Sequence, residues 1–169
     1  MYIVFMNKKK IGKKKIIQIF TTWRFLFFLI WKLPMGFLAK LRVLELKDNV
    51  AKVSVPFNYW NKNPFKSIYF AVQAMAAELS TGVLVILHTD GLDISMLVTN
   101  LESTYYKKAT SRIQFICLQG DKISSCVKKT EETNQPQICQ LISKGYDING
   151  VCVSEFKITW SLKKRKQII

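Results

Sequence analysis

The sequence predicts a single α+β domain in which antiparallel strands wrap around one buried helix. Between Ile68 and Leu79 the only polar residues are Tyr69, Gln73 and Glu78, and a helix that is apolar on nearly every side is a buried one. A strand pair precedes this helix and further strands follow it, which is an α+β order. With 169 residues, 49% of them hydrophobic, the chain supports one core of this kind.

The first part of the predicted sheet is a pair of strands, 41–47 and 50–57, around a short turn. In the second strand, apolar residues alternate with Lys52 and Ser54, which is the two-residue period of a strand with one buried face. Four further strands are predicted after the helix, at 93–102, 112–119, 137–145 and 151–162. The last two form a hairpin around a turn at 147–150.

Two helices complete the predicted fold. The central one lies within residues 63–82, with Gly82 as its C-terminal stop. Asn63 is its cap if Pro64 takes the first helical position; Ser67 is the competing cap, and residues 63–66 are then an entry loop. A shorter helix is expected at 121–133, capped by its first residue, Asp121.

Glu78 is a charged residue in a helix that is otherwise predicted to be buried. At helical spacing around it lie residues that are mostly small, namely Ser67, Ala71, Ala74, Met75, Thr81 and Gly82. An ionised carboxylate is costly to bury unless it is paired or hydrogen-bonded. Two interpretations are open: Glu78 reaches water or a Lys near the helix end, or it faces a cleft as a general base or nucleophile.

The formal net charge of +15 is concentrated in lysine-rich blocks at both ends of the chain. Such blocks either tether a protein to an anionic surface or stay solvated, and both interpretations are open. Only four of the 26 basic residues are Arg, the residue that nucleic-acid readers favour, so we expect no nucleic-acid partner. We divide the chain into a basic tail (1–15), one domain (16–162) and a second basic tail (163–169).

Residues 16–41 are strongly apolar, and three interpretations compete. A signal peptide would end in a small-residue cleavage site, which this stretch lacks. A spanning helix needs about 20 mostly apolar residues, but Arg24 and Lys32 interrupt this run and Pro34 ends it. We expect an N-terminal helix packed on the domain, with peripheral membrane contact as the open alternative because a lysine block precedes it.

Cysteine and histidine exclude several chemistries. Cys117, Cys126, Cys139 and Cys152 form no C-x-x-C pair, and His88 is the only histidine. A zinc site needs four well-spaced ligands, so we expect no metal site, and we expect no cofactor. No G-x-S-x-G elbow accompanies His88, which argues against a serine hydrolase triad. Unpaired cysteines behave as small hydrophobic residues and indicate the cytoplasm.

Several segments resemble a known family. They read N-P-F-K-S-I-Y-F-A, M-A-A-E-L-S-T-G, S-M-L-V-T-N-L-E-S-T-Y-Y-K-K-A-T, G-Y-D-I-N-G and F-K-I-T-W-S. The chain resembles hotdog-fold thioesterase-like proteins, and within them the DUF4442 (PaaI/YiiD-like) family, from about Leu33 to Lys164. The resemblance implies the hotdog fold, a long central helix wrapped by five or six antiparallel strands, and homodimers or dimers of dimers.

The resemblance also implies site residues. In thioesterase members, an Asn before the helix is followed fifteen positions later by an acidic residue, and Asn63 and Glu78 keep that interval. The acidic residue activates water or attacks the thioester, and backbone amides at the helix start, near Tyr69 and Phe70, polarise its carbonyl. Glu78 and Asn63 are therefore the expected catalytic residues. The expected substrate-binding residues are Ser67, Tyr69, Phe70 and Thr81.

This chain departs from those members at the helix start, where His-Gly-Gly is replaced by Tyr69-Phe70-Ala71. Some members of the family are dehydratases, which need a His beside the acidic residue, so the missing His argues against that activity here. The expected function is hydrolysis or binding of acyl-CoA or acyl-carrier-protein thioesters. The alternative is a non-catalytic hotdog module that binds an acyl or lipid ligand or associates with a membrane surface.

Overall fold

The computed structural model describes residues 10–165, which form a six-stranded antiparallel sheet around one long helix, and this confirms the predicted fold class. The helices are α1 Lys13–Thr21, α2 Arg24–Lys32, α3 Pro34–Leu38, α4 Phe70–Thr89 and α5 Gly120–Thr133. The strands are β1 Arg42–Leu46, β2 Ala51–Val55, β3 Ile94–Tyr105, β4 Ile113–Cys117, β5 Gln137–Tyr146 and β6 Cys152–Lys164. Helix α4 contacts every strand, so the core lies between it and the sheet.

The strands follow the order β1–β2–β4–β5–β6–β3. Strands β5 and β6 pair antiparallel, which confirms the predicted hairpin. In its turn the Asp147 carboxylate accepts hydrogen bonds from the amides of Asn149 and Val151 (2.9 Å each). Strand β3 pairs only with β6 within residues 10–165. One edge of this long strand is therefore unpaired in the single chain.

The predicted limits of the central helix are wrong at both ends. Neither Asn63 nor Ser67 caps it: the Asn63 side-chain oxygen accepts from the amides of Phe65 (3.0 Å) and Ser67 (3.1 Å), which makes an entry loop. Gly82 does not end it, because residues 83–87 are apolar, buried and continue the helix. Burying that run outweighs the cost of about 1 kcal/mol for a helical glycine. Glu78 consequently lies in the middle of α4.

The N-terminal apolar segment packs on the domain, but as three helices rather than one. Ile16 and Phe20 of α1, and Phe25 and Leu29 of α2, are at most 3% exposed and join the main core. Thr22 is extended, which separates α1 from α2, and a proline begins α3.

Regular structure extends into both predicted tails, because α1 begins at Lys13 and β6 ends at Lys164. Residues 1–9 and 166–169 of these tails lie outside the described residues. The predicted Asp121 cap of α5 is also wrong. The Asp121 amide instead donates to the side-chain oxygen of Asn49 (3.0 Å), from the β1–β2 turn.

Within residues 10–165, α4 is the one helix whose length and composition would allow it to cross a membrane. Most of it is buried in this domain, as expected of a core helix.

Candidate active site

Glu78 is half-buried on α4 and has no side-chain hydrogen bond or ion pair with any residue of the described chain. The lysine pair that would have given it a structural role is therefore missing from residues 10–165. Burial raises the pKa of Glu78 to about 7, because a desolvated carboxyl group favours its neutral form. A buried acid that titrates near neutrality is typical of catalytic sites.

Trp160 and Gly82 form the apolar surroundings of this carboxylate. A Cβ added to Gly82 would lie 3.4 Å from Glu78 Oε1 and 3.4 Å from the Trp160 ring, so both groups border the same gap. The Trp160 Nε1–H donates to the Thr81 hydroxyl (3.0 Å), which in turn donates to the backbone carbonyl of Glu78 (2.9 Å). Those donors are already occupied and do not stabilise the ionised side chain.

Glu78 lies on the face of α4 opposite to the central strands. Ser80 shares a hydrogen bond of 2.7 Å with Ser143 of β5, and residues two apart in a helix point about 200° away from each other. On the Glu78 face, Ala71, Ala74 and Met75 are only half-buried. The N-terminal half of this face is thus open in the single chain.

The inner face of β3 borders the start of α4, where the Tyr105 hydroxyl donates to the Phe70 carbonyl (3.5 Å). After a bulge between Val98 and Asn100, Leu101 and Tyr105 pair with buried Ile158 and Ser154 of β6, which places them on the inner side of the sheet. They are nevertheless 39% and 41% exposed. An apolar surface on the inner side of a sheet is therefore left uncovered beside α4.

The start of α4 presents two free backbone amides. The amides of Phe70 and Ala71 have no acceptor within the described chain, whereas those of Val72 and Gln73 both donate to the Tyr69 carbonyl. The amide of Tyr69, which was predicted to lie near the oxyanion, is engaged and donates to the Asn61 carbonyl (2.8 Å). Free amides at the positive end of a 20-residue helix favour an oxyanion.

Among the predicted polar residues, Asn63 and Ser67 are occupied with each other. Asn63 Nδ2 and Ser67 Oγ are 3.1 Å apart, and the loop amides take the Asn63 oxygen. Neither residue hydrogen-bonds to Glu78. Thr81 is fully buried with its hydroxyl engaged on both sides, which leaves no surface for a substrate.

The aromatic rings of Tyr69 and Phe70 are exposed at the helix start and lie edge to face, 4.6 Å between centroids. They are the predicted substrate-binding residues that the structure leaves accessible. They lie about eight residues before Glu78, or about 12 Å along the helix axis at 1.5 Å per residue. One small substrate group therefore cannot touch both ends of the site in a single chain.

Sequence reasoning missed Trp160, Leu101 and Tyr105. The alternation in F-K-I-T-W-S places Trp160 on the buried face of its strand, so its burial was readable from the sequence. Its contact with Gly82 was not, because it depends on how β6 crosses the helix. The bulge in β3 places Leu101 on the inner face of the sheet, and no local sequence pattern predicts this bulge.

One cavity and two buried cysteines of the described chain lie away from Glu78. A cavity of about 640 Å³ lies on the outer face of the sheet, lined among others by Ile116, Ile142 and Tyr146, and none of the predicted site residues lines it. Burial raises the pKa of Cys117 to about 11 and also raises that of Cys139, which favours the thiol over the reactive thiolate in both. Residues 10–165 contain no cluster of three or more His, Cys, Asp or Glu side chains able to hold a metal ion.

A long helix enclosed by a six-stranded antiparallel sheet defines the hotdog fold. The profile of a family described as a domain of unknown function, DUF4442, matches residues 21–162. The chain belongs to the DUF4442 family. This match begins before the predicted Leu33, so α2 and α3 are part of the family domain. No curated protein is similar to the chain at a significant level.

Solved structures share this fold at low sequence identity. A Pseudomonas aeruginosa protein of unknown function, described as a probable thioesterase, has a TM-score of 0.75 and 17% identity, over 94% of this chain and all of that one. A Chlorobaculum tepidum protein of unknown function has a TM-score of 0.73 and 17% identity, over 90% and 94% of the two chains. A Haemophilus influenzae thioesterase has a TM-score of 0.61 and 9% identity, over 97% and 99%.

Proposed function

We propose that this protein hydrolyses acyl thioesters of coenzyme A or acyl carrier protein, with Glu78 as the general base or nucleophile. The observation that carries the proposal is the unpaired, half-buried carboxyl group of Glu78, whose pKa burial raises to about 7. It lies in a fold shared with proteins described as thioesterases.

The chemistry follows from those groups. A base that titrates near the working pH is suited to remove a proton from water as the water attacks the thioester carbonyl. The oxyanion that forms would accept hydrogen bonds from the amides of Phe70 and Ala71, which are worth several kcal/mol in such sites. Collapse of the tetrahedral intermediate releases the thiolate and a carboxylic acid.

A dimer would bring the separated parts of the site together. Two antiparallel α4 helices related by a two-fold axis would set the helix start of one protomer beside Glu78 of its partner. The open inner face around Leu101 and Tyr105 is the surface that a second copy would cover. The unpaired edge of β3 also supports a dimer. Exposed edge strands normally carry several charged residues that prevent pairing with another chain, whereas the twelve residues of β3 carry only one, Glu102.

The direct test is hydrolysis of an acyl-CoA and acyl-carrier-protein panel by the wild type and Glu78→Gln. Loss of a general base costs about 10²–10⁴-fold, so the variant should lose at least about 100-fold in kcat. Glu132→Gln, on an exposed surface of α5, is the matched control and should keep full activity. Equal rates for Glu78→Gln and wild type would remove Glu78 from the mechanism.

One observation favours a second function, the binding of an acyl ligand without turnover. Phe70 occupies the helix start where thioesterase members carry glycine, and its ring is 55% exposed. A bulky ring at this position would hold an acyl chain but hinder close approach of a carbonyl to the amides. Saturable binding of acyl-CoA to the wild type, with no product formed over the whole panel, would establish this alternative.

A further inference from the structure

The outward face of α2 is apolar along its whole length. Its inward residues, Phe25 and Leu29, join the core, whereas the opposite side presents large apolar side chains that are 40–80% exposed. These are Trp23, Leu26, Phe27, Ile30 and Trp31. A surface helix of a globular domain normally exposes polar residues to solvent, whereas this helix exposes apolar ones.

Helix α3 extends this apolar surface. Met35, Phe37 and Leu38 are 41–59% exposed. Between α2, α3 and Trp60 lies a groove of about 410 Å³ with Lys40 and Arg42 among its lining residues. A contiguous apolar surface of this kind marks an interaction site, and the two cations give it an amphipathic rim.

The segment that carries this surface is anchored on the domain by polar contacts and by the core. The Asp90 carboxylate, at the end of α4, accepts hydrogen bonds from the amides of Ile11 (3.0 Å) and Gly12 (2.8 Å), where α1 begins. Lys13 pairs with Asp48 of the β1–β2 turn. Since the buried faces of α1 and α2 also belong to the main core, the exposed face cannot turn inward.

The charge of this region has one sign. No acidic residue precedes Glu45 in the sequence. Within the described chain four cations of this region form no ion pair: Arg24, Lys32, Lys40 and Arg42. The first two acids that follow in the sequence are already paired, Glu45 with Lys47 and Lys52, and Asp48 with Lys13. Unpaired cations therefore flank an apolar, tryptophan-bearing face.

We propose that the outer face of α2 and α3 docks the protein on an anionic lipid bilayer, as an interfacial surface that does not span it. Apolar side chains would enter the headgroup boundary while Arg24 and Lys32 meet lipid phosphates, and tryptophan is enriched at that depth. Nine residues of α2 are too few to cross a hydrocarbon core of about 30 Å. Docking of this face on a bilayer requires neither Glu78 nor thioester hydrolysis.

The test is co-sedimentation of the full chain with vesicles of phosphatidylcholine, alone or mixed with phosphatidylglycerol. The wild type should bind the anionic vesicles and lose that binding at high salt, because the headgroup attraction is screened. Replacing Trp23, Phe27 and Trp31 together by Ser should weaken binding by at least about 100-fold, since the apolar contribution is lost. Arg24→Glu with Lys32→Glu should weaken it by at least about tenfold.

The matched control replaces Leu118, Ile138 and Ile148 by Ser, because these side chains are equally exposed but lie elsewhere on the domain. It should bind anionic vesicles as the wild type does. Circular dichroism and the size of each variant in solution are measured in parallel. The proposal is overturned if the wild type ignores anionic vesicles, if the α2 variant still binds them, or if that variant instead changes the oligomeric state, which would make the face a protein interface.

Discussion

At the scale of single residues, the acidic side chains of this protein divide by what surrounds them. Glu45 lies between Lys47 and Lys52, whose hydrogen bonds lower its pKa to about 2, and Lys13 lowers that of Asp48. Glu78 has no cation beside it, and burial raises its pKa to about 7. A carboxyl group that burial destabilises and that no cation pairs is a candidate functional group.

The raised pKa of Glu78 predicts a pH dependence of stability. Between about pH 4.5 and 7 the folded chain binds a proton that the unfolded chain does not, so the free energy of unfolding should fall as the pH rises through this window. The fall is about 3 kcal/mol at most. Denaturant unfolding at pH 5 and pH 8, at one protein concentration, measures it for the wild type and Glu78→Gln.

Glu78→Gln should flatten this dependence and be the more stable protein at pH 8, because the amide carries no charge to desolvate. Glu132→Gln should keep the wild-type slope. An identical slope for wild type and Glu78→Gln would mean that the carboxylate is solvated or paired in the folded protein.

At the scale of elements, two helical glycines have opposite surroundings. Gly82 lies inside α4, and a Cβ there would meet Glu78 Oε1 and the Trp160 ring at 3.4 Å, close to ordinary contact. Gly120 begins α5, and a Cβ there would overlap the backbone of Asp48 and Asn49 in the β1–β2 turn. Backbone atoms of a packed turn cannot yield as a flexible side chain does.

Gly120→Ala should therefore destabilise the protein by about 1–3 kcal/mol or more, as overpacking does. Gly82→Ala is the comparison: it should change stability by less than about 1 kcal/mol, since the gain in helix propensity offsets a tight contact. Urea unfolding of both variants measures the difference. A Gly120→Ala protein as stable as wild type would show that the turn and α5 do not pack as described.

At the scale of the whole molecule, the open side of the sheet is where the unpaired features meet. Strand β3 has an unpaired edge and the exposed inner side chains Leu101 and Tyr105, and Tyr105 donates to the Phe70 carbonyl at the start of α4 (3.5 Å). A single chain would leave this apolar surface in water, at a cost of about 25 cal/mol for each Å² of apolar area. A second copy of the chain would cover this apolar surface, and the same contact would complete the proposed site.

Leu101→Arg should shift the protein to a monomer, because a charge on this inner face would have to be buried between protomers. Hydrolysis should fall with the dimer fraction if the site is shared. Light scattering after gel filtration gives the oligomeric state, and Leu118→Arg, on a different exposed surface, is the control. A Leu101→Arg protein that stays dimeric would place the interface elsewhere.

The sequence by itself determined the six strands, the hairpin of the last two, and the unusual position of Glu78 as an acidic residue in an apolar helix. These follow from local regularities, since period-two alternation reports a buried sheet face and a single acid in an apolar helix stands out without knowledge of its neighbours. The N-terminal segment could likewise be read as packed on the domain, although its division into three helices depends on Thr22 and on how Phe25 and Leu29 meet the core.

Only the tertiary structure decided where α4 begins and ends, which amides stay free and what surrounds Glu78. Stop and cap signals are worth about 1 kcal/mol each, so the burial of residues 83–87 overrides Gly82. The Tyr69 amide is not free, because it donates to the Asn61 carbonyl. The Trp160 ring contacts α4 from a strand almost eighty residues away in the chain. Such contacts join segments distant in sequence, and no local pattern encodes them.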